Sequence, residues 1–134
     1  MAKQISYTDT RGIVSAESYW IPAPSLDKVA KIARIRFSGY ASETARANGS
    51  QAIAEKNYHV SGADYIAHFS PAVLDVAGTN VFKQCYIYAA TVHDGDVKTG
   101  YTEEANGTYT KDLDGSVVDV NEARGTFFEN AKDV

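Results

Sequence analysis

The sequence is poorest in the residues that staple small folds or do specialised chemistry. In 134 residues it holds one cysteine, one tryptophan, one methionine, three prolines and three histidines. A single cysteine excludes an intrachain disulfide. Cys85 lies among Phe82, Tyr86 and Ile87, where a small buried hydrophobe is expected rather than a nucleophile. A lone thiol also fits synthesis in a reducing compartment. No run approaches the ~20 apolar residues that cross a bilayer, so no membrane insertion is expected. Met1 to Ser6 lacks the apolar core of a secretory leader, and the chain is expected to be made in a cytoplasm. Nucleophile elbows, phosphate loops and dinucleotide fingerprints do not occur.

What is present is ordinary for a globular chain: 44% hydrophobic residues, 22% charged residues and a net charge of −4. The length fits one domain with one core. Scattered cations and net negative charge speak against a nucleic-acid partner, which needs a basic patch to release counterions. Lys28, Lys31, Arg34 and Arg36 form the one local basic strip. A solvated strand face explains that strip more simply than a polyanion site does.

Periodicity predicts an α+β fold: a small antiparallel sheet of about three strands, a candidate C-terminal hairpin, and two or three short helices. Residues 1 to 11 are polar and aperiodic and read as a flexible N-terminal arm. Gly12 to Ile21 reads as a strand stopped by Pro22-Ala23-Pro24, because proline cannot donate to a ladder. Asp27 to Tyr40 admits a helical reading through Leu26, Val29, Ala30 and Ala33. The period-2 pattern runs further, so strand is chosen, paired with the first through the proline loop. Ser42 is expected to cap a short helix ended by Asn48-Gly49, and a third strand follows at residues 52 to 60. Ser61 to Asp64 reads as a capping box and Ser70-Pro71 as a second helix start. Asn80 reads as the cap of a last helix through Ala89, with a buried strand as the alternative. Residues 12 to 92 would form the core domain. Residues 93 to 134 would be a polar extension, either an extended arm or a hairpin turning at Asn106-Gly107. Thr126-Phe127-Phe128 would anchor its end.

The search for chemistry yields no catalytic, cofactor-binding or metal-binding set. His59, His68 and His93 lack metal-ligand spacing, and each reads as a surface or packing residue rather than an acid–base catalyst. Asp94-Gly95-Asp96 and Asp112-Leu113-Asp114-Gly115 could hold calcium only with further oxygen ligands that are out of register; turn formation explains them. Glu103 and Glu104, adjacent on a strand, would point to opposite faces. Asn48 and Asn106 form sequons that matter only in a secreted chain. Nine tyrosines are many for this length. Either they mark an interface, or Tyr19, Tyr40, Tyr58, Tyr65 and Tyr86 line sheet and helix rims with their hydroxyls in water.

Several stretches resemble a loose group of small proteins encoded among the tail and virion genes of tailed bacteriophages. They are Ser18-Tyr19-Trp20-Ile21, Ala33-Arg34-Ile35-Arg36-Phe37-Ser38-Gly39-Tyr40-Ala41-Ser42, Ala45-Arg46-Ala47-Asn48-Gly49, Tyr58-His59-Val60-Ser61-Gly62-Ala63-Asp64-Tyr65 and Tyr86-Ile87-Tyr88. The resemblance covers about residues 12 to 90, with a further similarity at Phe127 to Val134; residues 93 to 125 lie outside it. It implies a non-enzymatic structural or assembly protein of a virion tail or baseplate, made in the host cytoplasm, whose partners are other virion proteins or itself. Tyr19, Trp20, Tyr40, Tyr101, Tyr109, Phe127 and Phe128 are the candidate interface residues. The alternative is a module binding a host-surface glycan or protein, with aromatic residues such as Trp20 and Tyr101 as stacking platforms. A small enzyme using His59 or His68 with an acidic partner is the third and least supported expectation.

Overall fold

A computed structural model describes residues 2 to 134; Met1 lies outside the described residues. The chain forms two compact units, Met1–Tyr88 with Asn130–Val134, and Ala89–Glu129.

The first unit is built on a five-stranded antiparallel sheet, in which Ala54–Ser61, Ile32–Tyr40, Val14–Asp27, Lys3–Thr8 and Lys132–Asp133 lie side by side in that order. Its strands are β1 (Lys3–Thr8), β2 (Val14–Asp27), β3 (Ile32–Tyr40), β4 (Ala54–Ser61) and β8 (Lys132–Asp133). Between β3 and β4 runs helix α1 (Glu43–Ala47), and after β4 come α2 (Gly62–Phe69), α3 (Pro71–Leu74) and α4 (Val81–Ala89). Alternation on β3 sets the layers. Ala33, Ile35 and Phe37 are buried, while Arg34 and Arg36 between them are exposed. Across the register, Tyr58 faces Ile35 and Val60 faces Ala33, so these side chains share the inner face. Helices α2 and α4 bring Phe69, Tyr86 and Tyr88 to that face. Phe37 meets Tyr58 edge-on at 5.8 Å and Tyr86 at 5.4 Å, and Tyr58 meets Tyr88 at 6.0 Å. Offset and edge-to-face geometry of this kind adds to burial. Tyr58, Tyr65, Tyr86 and Tyr88 thus join Ile35, Phe37, Val60 and Phe69 in the core. Tyr58, Tyr65 and Tyr86 are buried, which corrects the expectation that they sit on rims with wet hydroxyls.

Trp20 is the largest fully buried side chain of the unit. It stands opposite Gly39, and a Cβ placed on Gly39 would come within 2.5 Å of the Trp20 ring. Its indole N–H donates to Ser18 Oγ at 2.8 Å, and the Tyr86 hydroxyl donates to the Trp20 carbonyl at 3.2 Å.

Three expectations need correction. Residues 3 to 8 of the supposed arm are β1, paired with β2 on one side and with β8 on the other. Ile5 and Tyr7 supply the apolar alternation, and pairing at both ends of the chain satisfies backbone groups that a short polar segment could not satisfy alone. The prolines do not stop β2, which continues to Asp27. β1 pairs β2 only up to Trp20, so the half of β2 from Ile21 onward has an open side. Pro22 and Pro24 share one parity, so both can turn their missing donors to that side. The β2–β3 turn is instead residues 28 to 31, where Asp27 Oδ1 accepts from the Val29 and Ala30 amides and Lys31 takes a φ of 56°. Finally, residues 130 to 134 return to the first unit, and the extension is Ala89–Glu129 rather than residues 93 to 134.

The strand reading of β3 and the caps of α1 and α4 hold. Ser42 Oγ accepts from the Ala45 amide and Asn80 Oδ1 from the Lys83 amide. The capping box at Ser61 does not form, since Ser61 makes no side-chain cap bond. No helix among the described residues is long and apolar enough to cross a membrane.

The second unit holds a three-stranded sheet of β5 (Tyr101–Glu103), β6 (Tyr109–Lys111) and β7 (Val117–Val118), with the short helix α5 (Val120–Ala123). Asn106-Gly107 turns the β5–β6 hairpin, with Gly107 at a φ of 86°.

Candidate functional site

The inner face of the first unit's sheet is filled by its own helices, so the outer face is where that sheet is free to act. Three strands tile it in rows. Ser25, Arg34 and His59 are cross-strand neighbours, and beside them stand Ala23, Arg36 and Asn57. All six residues are exposed. They border an open depression of about 540 Å³. The pattern that makes β3 a core strand also makes this face basic, because its outward positions are arginine at 34 and 36. The Arg36 guanidinium approaches Glu55 Oε1 at 4.0 Å, with both side chains about half exposed. Such a contact is too loose and too wet to neutralise Arg36.

The candidate interface residues separate into three groups. Tyr19 and Tyr40 are cross-strand neighbours on the outer face, both half-buried. Trp20, 1% exposed, and Phe128, 8% exposed, are core residues and present no contact surface to a partner. Tyr101, Tyr109 and Phe127 are half-buried in the second unit. Phe127 and Phe128 pack edge-on at 4.9 Å.

In that unit the organising residue is Arg124, which nothing in the sequence singled out. Its guanidinium donates to the Tyr109 hydroxyl at 2.8 Å, the Gly95 carbonyl at 2.7 Å and Glu103 Oε2 at 2.6 Å, and it lies over the Tyr109 ring at 5.5 Å. The Tyr109 hydroxyl beside it raises the guanidinium's pKa further, so Arg124 stays charged throughout. The nearby Glu122 carboxylate raises the pKa of Tyr101. His93 Nδ1 donates to the Arg124 carbonyl at 2.8 Å, which fixes its proton on Nδ1 while the ring is neutral.

The remaining histidines are separated by the sheet. His59 is on the outer face, whereas His68 on α2 packs against the Tyr88 ring at 5.4 Å. The acidic turns are held by their own hydrogen bonds. Asp114 Oδ1 accepts from the Ser116 amide and hydroxyl, and these bonds hold its carboxyl below the usual range. Asp112 accepts from the Thr102 hydroxyl and Glu104 from the Thr110 hydroxyl. Among the described residues no three His, Cys, Asp or Glu side chains converge as metal ligands. Cys85 is buried in the core and its thiol is pushed up to about 12 by desolvation, so it is protonated at neutral pH.

No protein-family model, curated protein or solved structure matches this chain.

Proposed function

We propose that the chain is a non-enzymatic structural or assembly protein of a bacteriophage virion, placed at the tail or baseplate and acting through protein–protein contacts. The observation that carries the assembly reading is β4. It pairs with β3 along its whole length from Ala54 to Ser61, and among the described residues no strand lies on its other side. An outer strand offers unpaired backbone groups to another chain. The other open margins of this sheet are guarded: Pro22 and Pro24 lie along the open half of β2, and β1 carries a register shift between Ile5 and Tyr7 and is partly covered by β8. β4 has neither a proline nor a register shift, and its one guard is Lys56, which shares the inward parity of Tyr58 and Val60. The virion assignment adds the resemblance of residues 12 to 90 to tail and virion proteins.

The glycan-platform reading is weaker, because Trp20 lies in the core and offers no face to a sugar. Quantitative mass spectrometry of purified particles of the encoding phage tests the proposal. A fixed copy number per particle is expected. Absence from particles in a sample that detects their other minor components would overturn it.

A further inference from the structure

The two units carry opposite charge. Met1–Tyr88 with Asn130–Val134 holds ten lysines and arginines against eight carboxylates, a net +2, whereas Ala89–Glu129 holds three against nine, a net −6. The excess positive charge of the first unit is presented where its sheet is uncovered. Arg34 and Arg36 stand about 6.6 Å apart along β3, His59 lies opposite Arg34, and Lys28 and Lys31 are exposed in the adjoining turn. The depression bordered by Arg34, Arg36 and His59 is open, and Ala23, Ser25 and Asn57 also line it. On the second unit the matching feature is the turn between β6 and β7. Leu113 there is 87% exposed between Asp112 and Asp114. The turn is preformed: the Gly115 amide donates to the Lys111 carbonyl at 2.7 Å and the Lys111 amide to the Ser116 carbonyl at 2.9 Å. A rigid knob with one apolar tip and two carboxylates loses little entropy on docking.

We propose that the open face of β2, β3 and β4 docks the acidic second unit of another copy of this chain, with the Asp112-Leu113-Asp114 turn seated between Arg34, Arg36 and His59. This rests on the assembly reading and names its partner as a second copy. Carboxylates on guanidinium groups give charge-assisted hydrogen bonds, and Leu113 meets Ala23 in the lining of the depression. Donor face and acceptor turn are different surfaces, so the contact is heterologous and propagates into a ring or a filament.

The test uses the whole chain and two double variants, Arg34→Glu with Arg36→Glu and Asp112→Arg with Asp114→Arg. All four positions are exposed, and far-UV circular dichroism checks that both variants fold. Light scattering coupled to size exclusion should find the unaltered chain associating with rising concentration at low ionic strength and dissociating when salt is raised about tenfold. Each variant alone should be monomeric, since its face and its turn then carry the same sign. Mixing the two should restore association, because each offers the surface the other now fits. Association that persists unchanged in both variants would overturn the inference and leave the assembly reading standing on another surface, such as the β4 edge. A strict monomer at every concentration and salt would also overturn it, while the particle measurement above still decides the virion reading independently.

Discussion

Gly39 and Trp20 form a single feature split between two strands. The indole ring occupies the space where a Cβ on residue 39 would be, 2.5 Å from Cζ2. Gly39→Ala should therefore destabilise the chain by about 1–3 kcal/mol, the usual cost of overpacking a filled core, read as a lower urea midpoint at an unchanged slope. Cys85 and Tyr86 give a pH prediction. Burial favours the neutral thiol and the neutral phenol, so both pKa values rise on folding, the thiol from 9.0 to about 12 and the phenol from 10.0 upward. Their contribution is complete below pH 9 and is lost as pH climbs from 9 toward 12 and beyond. Urea midpoints should be level through neutral pH and fall above pH 9. Cys85→Ala should remove the earliest part of that fall, and a thiol reagent should modify Cys85 only on unfolding. Arg124 gathers Tyr109, Gly95 and Glu103 through a planar fork that lysine lacks. Arg124→Lys should expose residues 89 to 129 to protease without altering cleavage of the first unit.

At the scale of elements, short helices depend on their caps and on the face they bury. α4 begins at Asn80, whose side chain satisfies the Lys83 amide, and it delivers Cys85, Tyr86 and Tyr88 to the core. Asn80→Ala should cost about 1 kcal/mol, and Asn80→Asp should retain most of it, measured by chemical denaturation. Elements written in local code were legible: the caps at Ser42 and Asn80 (though not at Ser61), the Asn-Gly turn, the alternation of β3 and the helical run after Asn80. The elements misread were those set by a neighbour. Pro22 and Pro24 argue against a strand interior until it is known that β1 stops short of them. Lys3 to Thr8 is too short and too polar to stand as a strand without β2 and β8 beside it.

At the scale of the whole molecule, the sheet of the first unit is closed by residues from the far end of the chain. The Ala2 amide donates to the Val134 carbonyl at 3.3 Å, the Val134 amide to the Ala2 carbonyl at 3.1 Å, and Lys3 meets Asp133 at 2.6 Å. Removing residues 130 to 134 should lower stability by about 1–3 kcal/mol, from the backbone bonds lost at one sheet margin, seen as an earlier thermal transition. Lys3→Ala alone should change it by less than about 1 kcal/mol, because Asp133 is mostly exposed. The charge asymmetry between units is a sequence fact, yet it has meaning only once the unit boundaries at residues 89 and 129 are known.

The sequence by itself determined the α+β class, the identity of β3 and β4, the α1 and α4 caps and the hairpin at Asn106-Gly107. Each of these is decided by residues within a few positions of one another, through side-chain parity, cap chemistry and turn conformation. Tertiary structure alone decided that the tyrosines of β4, α2 and α4 are part of the core, that Trp20 is covered, and that β1 and β8 join one sheet. It alone aligned Ser25, Arg34 and His59 in a row, and set Arg124 beside Tyr109 and Glu103. Those outcomes depend on which surfaces meet between separate elements of the chain, and burial and cross-strand register come into being only when they do.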